Sequence, residues 1–303
     1  LIIPPLFHVA ALSSLLQNCL IEGTIIIHRE FQPDVVLKTV QDEKIESMFM
    51  VPAMWNFLFQ VPNLSDYDLS SMTNCSLGGS ICPIEIKKRI LQVFKNATIL
   101  EAFGQTEMSP STTYLAGEDA LRKTESVGKP SINVRVRIVD NEMNDVPVGE
   151  VGEIVYQGPT TMKEYYKNEE ATEEAFKGGW FHSGDLVRMD EEGYIYVVDR
   201  KKDMIISGGE NIYPKELEDV LYSHPDILEA AVVGIPDPKW GETVKAYIVL
   251  KSGRQMTEEQ VIQFCQSSIA SYKKPRTIEF MESLPRNAAG KVLKMVLRTG
   301  AYH

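Results

Sequence analysis

A short charged segment at residues 199–202, Asp-Arg-Lys-Lys, constrains the fold most strongly because it separates two apolar runs. The preceding run, residues 194–198, has the composition of a buried strand, and residues 204–206 return to a core. Charged side chains directly after a buried strand favour an exposed connection, where a chain can pivot. Gly208 and Gly209 follow, and paired glycines allow a tight turn. The segment therefore predicts a joint between two domains.

The chain on either side of this joint shows different hydrophobic periodicities. Residues 1–125 alternate apolar runs with helical patterns, which predicts an α/β fold, here part of a helix-covered parallel sheet. Residues 126–198 predict an antiparallel, barrel-like subdomain, and residues 203–303 a small mobile α+β domain. The predicted strands are residues 23–27, 47–51, 75–80, 97–100, 153–156, 194–198, 230–233 and 245–250. The predicted helices are residues 33–43 and 83–94, one opening at Pro214, and one with a capping box from Thr257 to Gln260.

Composition narrows the classes of function. A formal net charge of -11 argues against a nucleic-acid partner, because phosphate binding needs a basic face. The four cysteines have no CxxC spacing, which is typical of small core residues in a reducing, cytoplasmic compartment. Residues 1–27 have the length of a membrane span, but prolines and polar residues interrupt them. Peripheral contact with a membrane stays open.

Four short motifs and the joint follow one another in a fixed order. The motifs are Pro-Leu-Phe-His at residues 5–8, Glu-Ala-Phe-Gly-Gln-Thr-Glu at 101–107, Gly-Trp-Phe-His-Ser-Gly-Asp at 179–185 and Pro-Arg-Asn-Ala-Ala-Gly-Lys at 285–291. In this order they resemble the adenylate-forming superfamily of acyl-CoA synthetases, firefly-type luciferases and peptide-synthetase adenylation domains. Within the superfamily, the motif sequences are most similar to those of bacterial long-chain fatty acyl-CoA synthetases. The resemblance implies an ATP-dependent fatty acyl-CoA ligase that uses ATP, Mg²⁺ and CoA.

The chemistry of such a ligase assigns roles to polar residues in these motifs. Glu107 suits Mg²⁺, a hard cation that takes one or two carboxylates plus phosphate oxygens. Thr106 offers a hydroxyl to a phosphate oxygen. Asp185 follows a glycine, and such a carboxylate can accept both ribose hydroxyls. Arg200, by resemblance, contacts the ribose or a phosphate.

Two lysines complete the expected machinery. Lys291 follows a glycine in a loop and would supply a compact positive charge to the leaving phosphate. The resemblance identifies it as a catalytic residue. Lys202, the second residue after Arg200, is by resemblance the hinge about which the small domain rotates between the two half-reactions.

Small and flat residues predict the pockets, because absent side chains make room for ligands. An aromatic residue or histidine at position 8 gates the acyl tunnel in the family, but a histidine beside an apolar run is equally typical of a core. The expected ATP/AMP-binding residues of this kind are Gly79, Ala102, Phe103 and Gly104. The expected acyl pocket is His8, Gly78 and Gly104, and the expected CoA path is Gly208, Gly209 and Trp240.

The family's phosphate loop, of the type Thr-Ser-Gly-Thr-Thr-Gly-x-Pro-Lys, is not found in these 303 residues. We therefore expect the chain to be the C-terminal part of a longer enzyme and to form acyl-adenylate poorly alone. Four alternatives remain. They are an aryl-CoA ligase, a luciferase-like oxygenase (which would favour a basic residue at Ile206), a peptide-synthetase adenylation domain (an acid near His8) and a fragment that only binds.

Overall fold

The computed structural model describes residues 1–80, 82–287 and 291–300. The chain forms two compact units, the first comprising Leu1–Ser183 and Val187–Val197, the second Gly184–Leu186 and Val198–His303. In the described part of the chain, no helix is both long enough and apolar enough to cross a bilayer. The predicted fold class, helix-covered sheets with a small α+β unit after the joint, is confirmed.

The first unit begins with a five-stranded sheet of mixed direction. Strands β1, β2 and β3 are parallel, and β4 and β5 extend the sheet in antiparallel fashion. The strands are β1 (Ser47–Met50), β2 (Asn74–Gly78), β3 (Thr98–Gly104), β4 (Ser111–Ala116) and β5 (Lys129–Pro130). The accompanying helices are α1 (Val9–Leu20), α2 (Pro33–Asp42), α3 (Pro52–Leu58), α4 (Ile84–Val93), α5 (Asp119–Arg122) and α6 (Glu169–Ala175).

Helix α2 shows how local sequence determines this region. Pro33 stands at its first turn, where no backbone N–H is needed, and Val36, Leu37 and Val40 are buried on one face. This helix and its buried face are as predicted. The predicted strand at residues 23–27 is wrong, because the segment forms only one isolated bridge, from Ile27 to Ile2. Residues 21–24 are exposed, so longer pairing would bury little apolar surface.

The second described sheet has four strands. It contains β6 (Arg135–Val139), β7 (Gly152–Gln157), β8 (Phe181–Met189) and β9 (Ile195–Arg200), in that order. Strands β6 and β7 are antiparallel, and the described strands form an open sheet rather than a closed barrel. The exposed connection was predicted to begin at residue 199, which is too early, because β9 continues through Arg200. Asp199 can lie inside the strand because its buried carboxylate accepts the N–H groups of Arg200 and Lys215.

The remaining sheet belongs to the second unit. Its order is β11-β10-β13-β12, and β14 pairs in parallel with β13. The strands are β10 (Ile205–Ser207), β11 (Glu210–Ile212), β12 (Ile227–Asp237), β13 (Gly241–Leu250) and β14 (Thr277–Phe280), and the helices α7 (Pro214–Tyr222), α8 (Glu258–Ser268) and α9 (Lys294–Thr299). Helix α7 buries Leu217 and Leu221. Thr257 and Gln260 form the predicted reciprocal capping box of α8.

Candidate active site

In the first unit, two glycines lie at the carboxyl end of β2. Gly78 is paired with Ala102 of the neighbouring parallel strand, and a Cβ atom there would lie 2.9 Å from the Ala102 carbonyl oxygen. Gly79 has φ = +81°, a conformation that favours glycine. The structure thus brings Gly78 and Ala102 together where open α/β sheets bind ligands. Their roles in the acyl and adenine pockets stay predictions.

The end of β3 carries the next predicted residues. A Cβ atom on Gly104 would lie 2.0 Å from the Pro110 carbonyl oxygen, so the backbone of the returning strand requires glycine here. Phe103 is half-buried and packs against the core beneath the second sheet. Thr112 donates its hydroxyl to the Phe103 carbonyl oxygen at 3.1 Å. These contacts fix the backbone at the end of β3, directly before Thr106 and Glu107.

Thr106 and Glu107 lie in a short 3-10 turn, Thr106–Met108, anchored by fully buried Met108. Thr106 is exposed, and Glu107 is half-buried. The phenol of Tyr165 donates a hydrogen bond to Glu107 Oε1 at 2.9 Å. Burial, then the hydrogen bond to Glu107, raises the pKa of Tyr165 to about 12. Tyr165 was missed in the sequence, because no spacing rule connects it with a residue 58 positions earlier.

A metal at this turn would depend on few protein ligands. Among the residues that the structure describes, no group of three or more His, Cys, Asp or Glu side chains could hold a metal ion. Glu107 fits Mg²⁺ as a single carboxylate, because this ion often binds through one or two carboxylates and keeps phosphate and water oxygens as further ligands.

His8 lies at the start of α1 rather than in the core. Its side chain is exposed, and its Nδ1 accepts the Ala10 N–H at 3.2 Å as the N-cap of the helix. The alternative of a buried core histidine is therefore wrong. The role of His8 at the acyl tunnel stays a prediction.

In the second unit, Asp185 of β8 and Arg200 of β9 form an ion pair. The distance from Arg200 Nε to Asp185 Oδ1 is 2.8 Å. The Asp185 side chain is only 3% exposed, whereas that of Arg200 is 38% exposed. The two predicted nucleotide-binding residues are thus brought together, with the guanidinium partly open to solvent. Hydrogen bonds between ionised groups of this kind are stronger than neutral ones.

Lys291 lies near this pair within the same unit. Its backbone N–H donates to Asn287 Oδ1 at 2.9 Å, and the side chain is exposed. Partial desolvation of the ammonium, then the positive charges of Arg200 and Lys202, lower the pKa of Lys291, while Asp203 and Asp185 act in the opposite direction. Residues 288–290 of the predicted motif lie outside the described residues.

The predicted hinge, Lys202, is exposed in the turn after β9. Its carbonyl oxygen accepts a hydrogen bond from Arg298 Nη1 of α9 at 3.3 Å. The exposure agrees with a connection that could rotate, and the hinge role stays a prediction.

The predicted CoA path begins with a contact between Gly208 and Trp240. Gly208 has φ = +62°, and a Cβ atom there would lie 2.7 Å from Trp240 Cε3. Lys239 Nζ and the Arg276 guanidinium lie 4.7 Å and 4.8 Å from the ring centre of Trp240. Gly209, at φ = +88°, would meet no atom within 4 Å. The structure brings Gly208 and Trp240 together, and their contact with CoA stays a prediction.

Comparison with known families identifies the chain. The sequence model described as AMP-binding enzyme matches residues 1–166, and that of the AMP-binding enzyme C-terminal domain matches residues 216–291. The chain belongs to the AMP-binding enzyme family, which confirms the resemblance to the adenylate-forming superfamily.

Three relatives illustrate the similarity. A feruloyl-CoA synthase of Amycolatopsis sp is 40% identical over 98% of this chain and 60% of its own length. The long-chain-fatty-acid–CoA ligase FadD13 of Mycobacterium tuberculosis is 39% identical over 97% of this chain and 58% of its own length. The o-succinylbenzoate CoA synthetase (MenE) of Bacillus subtilis, solved with the acyl-adenylate intermediate OSB-AMP, has a TM-score of 0.86 and 33% identity, over 99% of this chain and 60% of its own. The chain thus spans about 60% of the length of these relatives.

Proposed function

We propose that the chain is part of an AMP-forming acid–thiol ligase that joins a carboxylic acid to CoA at the expense of ATP. The single observation that carries the proposal is the group of Asp185, Arg200 and Lys291 in one unit. A carboxylate, a guanidinium and an exposed ammonium suit the ribose and phosphates of a nucleotide. The family and the relatives that make CoA thioesters support the same reaction.

The first half-reaction is adenylation. A carboxylate oxygen of the acid bonds to the α-phosphorus of ATP, and the bond from that phosphorus to pyrophosphate breaks. Lys291 stabilises the charge that develops on the phosphates, and Arg200 orients the Asp185 carboxylate towards the ribose hydroxyls. Mg²⁺ held by Glu107 would neutralise phosphate charge, and Thr106 would donate its hydroxyl to a phosphate oxygen.

The second half-reaction forms the thioester. The CoA sulfur bonds to the acyl carbon, the thiol proton is lost and AMP leaves. The tight contact of Gly208 with Trp240 supports a narrow path for the pantetheine arm, because a side chain at Gly208 would displace the indole ring. Lys202 would act as the pivot of the small domain. Rotation about it between the half-reactions would move Lys291 away from the reacting groups and bring the CoA path to them.

Two classes of acid fit the relatives. A long-chain fatty acid is the substrate we favour, as for the ligase of Mycobacterium tuberculosis at 39% identity. An aromatic acid is the second candidate, because the feruloyl-CoA synthase at 40% identity is as similar.

The test uses the full-length protein with ATP and Mg²⁺, because this chain spans about 60% of its relatives. Pyrophosphate release is measured with a long-chain fatty acid, ferulate and 2-succinylbenzoate, and thioester formation after CoA is added. We expect release with the fatty acid and thioester only with CoA. If pyrophosphate is released only with an aromatic acid, the proposed substrate class changes from fatty acids to aromatic acids. If no acid gives pyrophosphate release, the ligase proposal is refuted.

A further inference from the structure

Glu107 is held at two points by one segment of the first unit. The Met162 N–H donates to the Glu107 carbonyl oxygen at 2.8 Å, and the Tyr165 phenol donates to its Oε1 at 2.9 Å. One contact fixes the backbone and the other fixes the carboxylate. Within the described residues, Oε1 is the carboxylate oxygen that takes this bond, and no side chain or N–H donates to Oε2.

Tyr165 is itself held in place. Its N–H donates to Thr172 Oγ1 at 3.0 Å, and Thr172 lies in α6, which is capped by the side chain of Asn168. The phenol therefore extends from a backbone that is tied to a helix. The next residue differs, because Tyr166 is 83% exposed.

We propose that Tyr165 is a positioning residue that presents the Glu107 carboxylate to the divalent cation accompanying ATP. The inference rests on the proposed function. A carboxylate on a flexible side chain must lose rotamer freedom before it can bind a cation. The Tyr165 hydroxyl restricts the side chain through Oε1, and Oε2 would then be the oxygen that binds the cation. Hydrogen-bond partners of metal-binding carboxylates contribute about 10- to 100-fold to metal affinity or activity.

The test measures binding rather than turnover, with Mn²⁺ as the probe and no carboxylic acid present. Affinity of the full-length protein for Mn²⁺–ATP is measured by water-proton relaxation, and affinity for metal-free ATP by calorimetry in EDTA. We expect Tyr165→Phe to weaken binding of Mn²⁺–ATP about 10-fold and to leave metal-free ATP nearly unchanged. Tyr166→Phe is the matched control, and we expect it to change neither.

A double-mutant cycle tests whether Tyr165 acts through Glu107. Glu107→Gln should weaken Mn²⁺–ATP binding, and adding Tyr165→Phe should weaken it little further, because interacting residues are not additive. If Tyr165→Phe folds poorly, Thr172→Val is the second variant. It keeps the phenol but removes the acceptor of the Tyr165 N–H, and we expect a smaller loss in the same direction.

Two results would overturn the proposal: unchanged Mn²⁺–ATP affinity in Tyr165→Phe, or an equal loss of affinity for Mn²⁺–ATP and metal-free ATP. The second result would make Tyr165 a structural contact only. Failure of the ligase proposal is seen separately, as absent pyrophosphate release by the unaltered protein, because the binding measurement needs no acid substrate.

Discussion

Two lysines beside carboxylates occupy opposite environments in this protein. Lys87 of α4 is fully buried in the first unit, pairs with Glu101 and donates to the carbonyl oxygens of Ala120 and Thr124 at 3.2 Å and 2.8 Å. Lys291 is exposed in the second unit, among cations that lower its pKa after partial desolvation. The first lysine is surrounded by protein acceptors, whereas the second keeps its charge available to a ligand. Burial and satisfied partners, not charge itself, separate this structural lysine from the one proposed to act on a ligand.

The largest effect should come from removing the buried charge. We expect Lys87→Met to lower the free energy of unfolding by about 3–5 kcal/mol, because Glu101 then remains as an uncompensated buried charge. Urea unfolding of the chain measures this change in the free energy of unfolding. The double variant Lys87→Met/Glu101→Leu should recover most of the lost stability. If Lys87→Met alone is as stable as the unaltered chain, Lys87 is not the structural lysine that the comparison with Lys291 requires.

The pH dependence of the Lys87→Met variant sharpens this point. Burial already raises the pKa of Glu101, against the effect of Lys87, so removing the lysine raises it further. The folded state then holds a proton that the unfolded chain releases above the ordinary glutamate pKa of 4.5. Its free energy of unfolding should therefore decrease as the pH rises above that value.

Lys291→Ala tests the other side of the comparison. We expect adenylation by the full-length protein to fall roughly 10²–10³-fold, because one electrostatic contact to the phosphates is lost. Thioester formation from preformed acyl-adenylate should change far less. Lys274→Ala, which among the described residues loses a 3.2 Å bond to Gln266, is the control. Equal losses in both half-reactions, or a large fall in melting temperature, would contradict the assigned role.

A smaller effect, confined to one step, is expected at the joint. Lys202→Pro would fix φ near −65° and restrict Lys201, so the proposed rotation should be blocked. We expect thioester formation to fall about 10²-fold through misplacement of the reacting groups, while much of the adenylation rate survives. Separate rapid-quench assays of the two steps measure this. Parallel losses in both would remove the hinge assignment.

The smallest effect separates the two glycines of the turn. Both have positive φ, so alanine at either should cost about 1–2 kcal/mol of stability. Only at Gly208 would the new methyl group meet Trp240. We expect Gly208→Ala to raise the KM for CoA more than Gly209→Ala does. Identical KM values with equal stability losses would argue against the CoA path.

Sequence patterns could predict what depends on neighbouring residues. The buried face of α2 and the capping box of α8 follow from local spacing, and both are confirmed. The family resemblance that the ordered motifs carry is also confirmed. The ion pair between Asp185 and Arg200 joins two residues that the sequence analysis named, and their contact depends on two strands of one sheet. Their role in nucleotide binding stays a prediction.

Other features could not be predicted because they depend on tertiary contacts. Lys87 lies on a helix whose charged residues suggest a solvated face, and its burial is favourable because its ammonium pairs with Glu101 and donates to the carbonyl oxygens of Ala120 and Thr124. Tyr165 reaches Glu107 across 58 positions. Asp199 stays in its strand because its carboxylate accepts the N–H of its neighbour Arg200 and that of Lys215, 16 positions later.

Asp199 has a thermodynamic consequence for the joint. It precedes the proposed pivot and accepts the N–H of Lys215, which follows it, at 2.8 Å. The rotation proposed about Lys202 would separate these two groups, so under that proposal the bond would exist in only one of the two orientations. Hydrogen bonds to charged groups contribute about 1.5–3 kcal/mol, which corresponds to a population ratio of about 10–100. Under the proposed hinge, this single carboxylate would set an occupancy bias that ligand binding must exceed before the other orientation predominates.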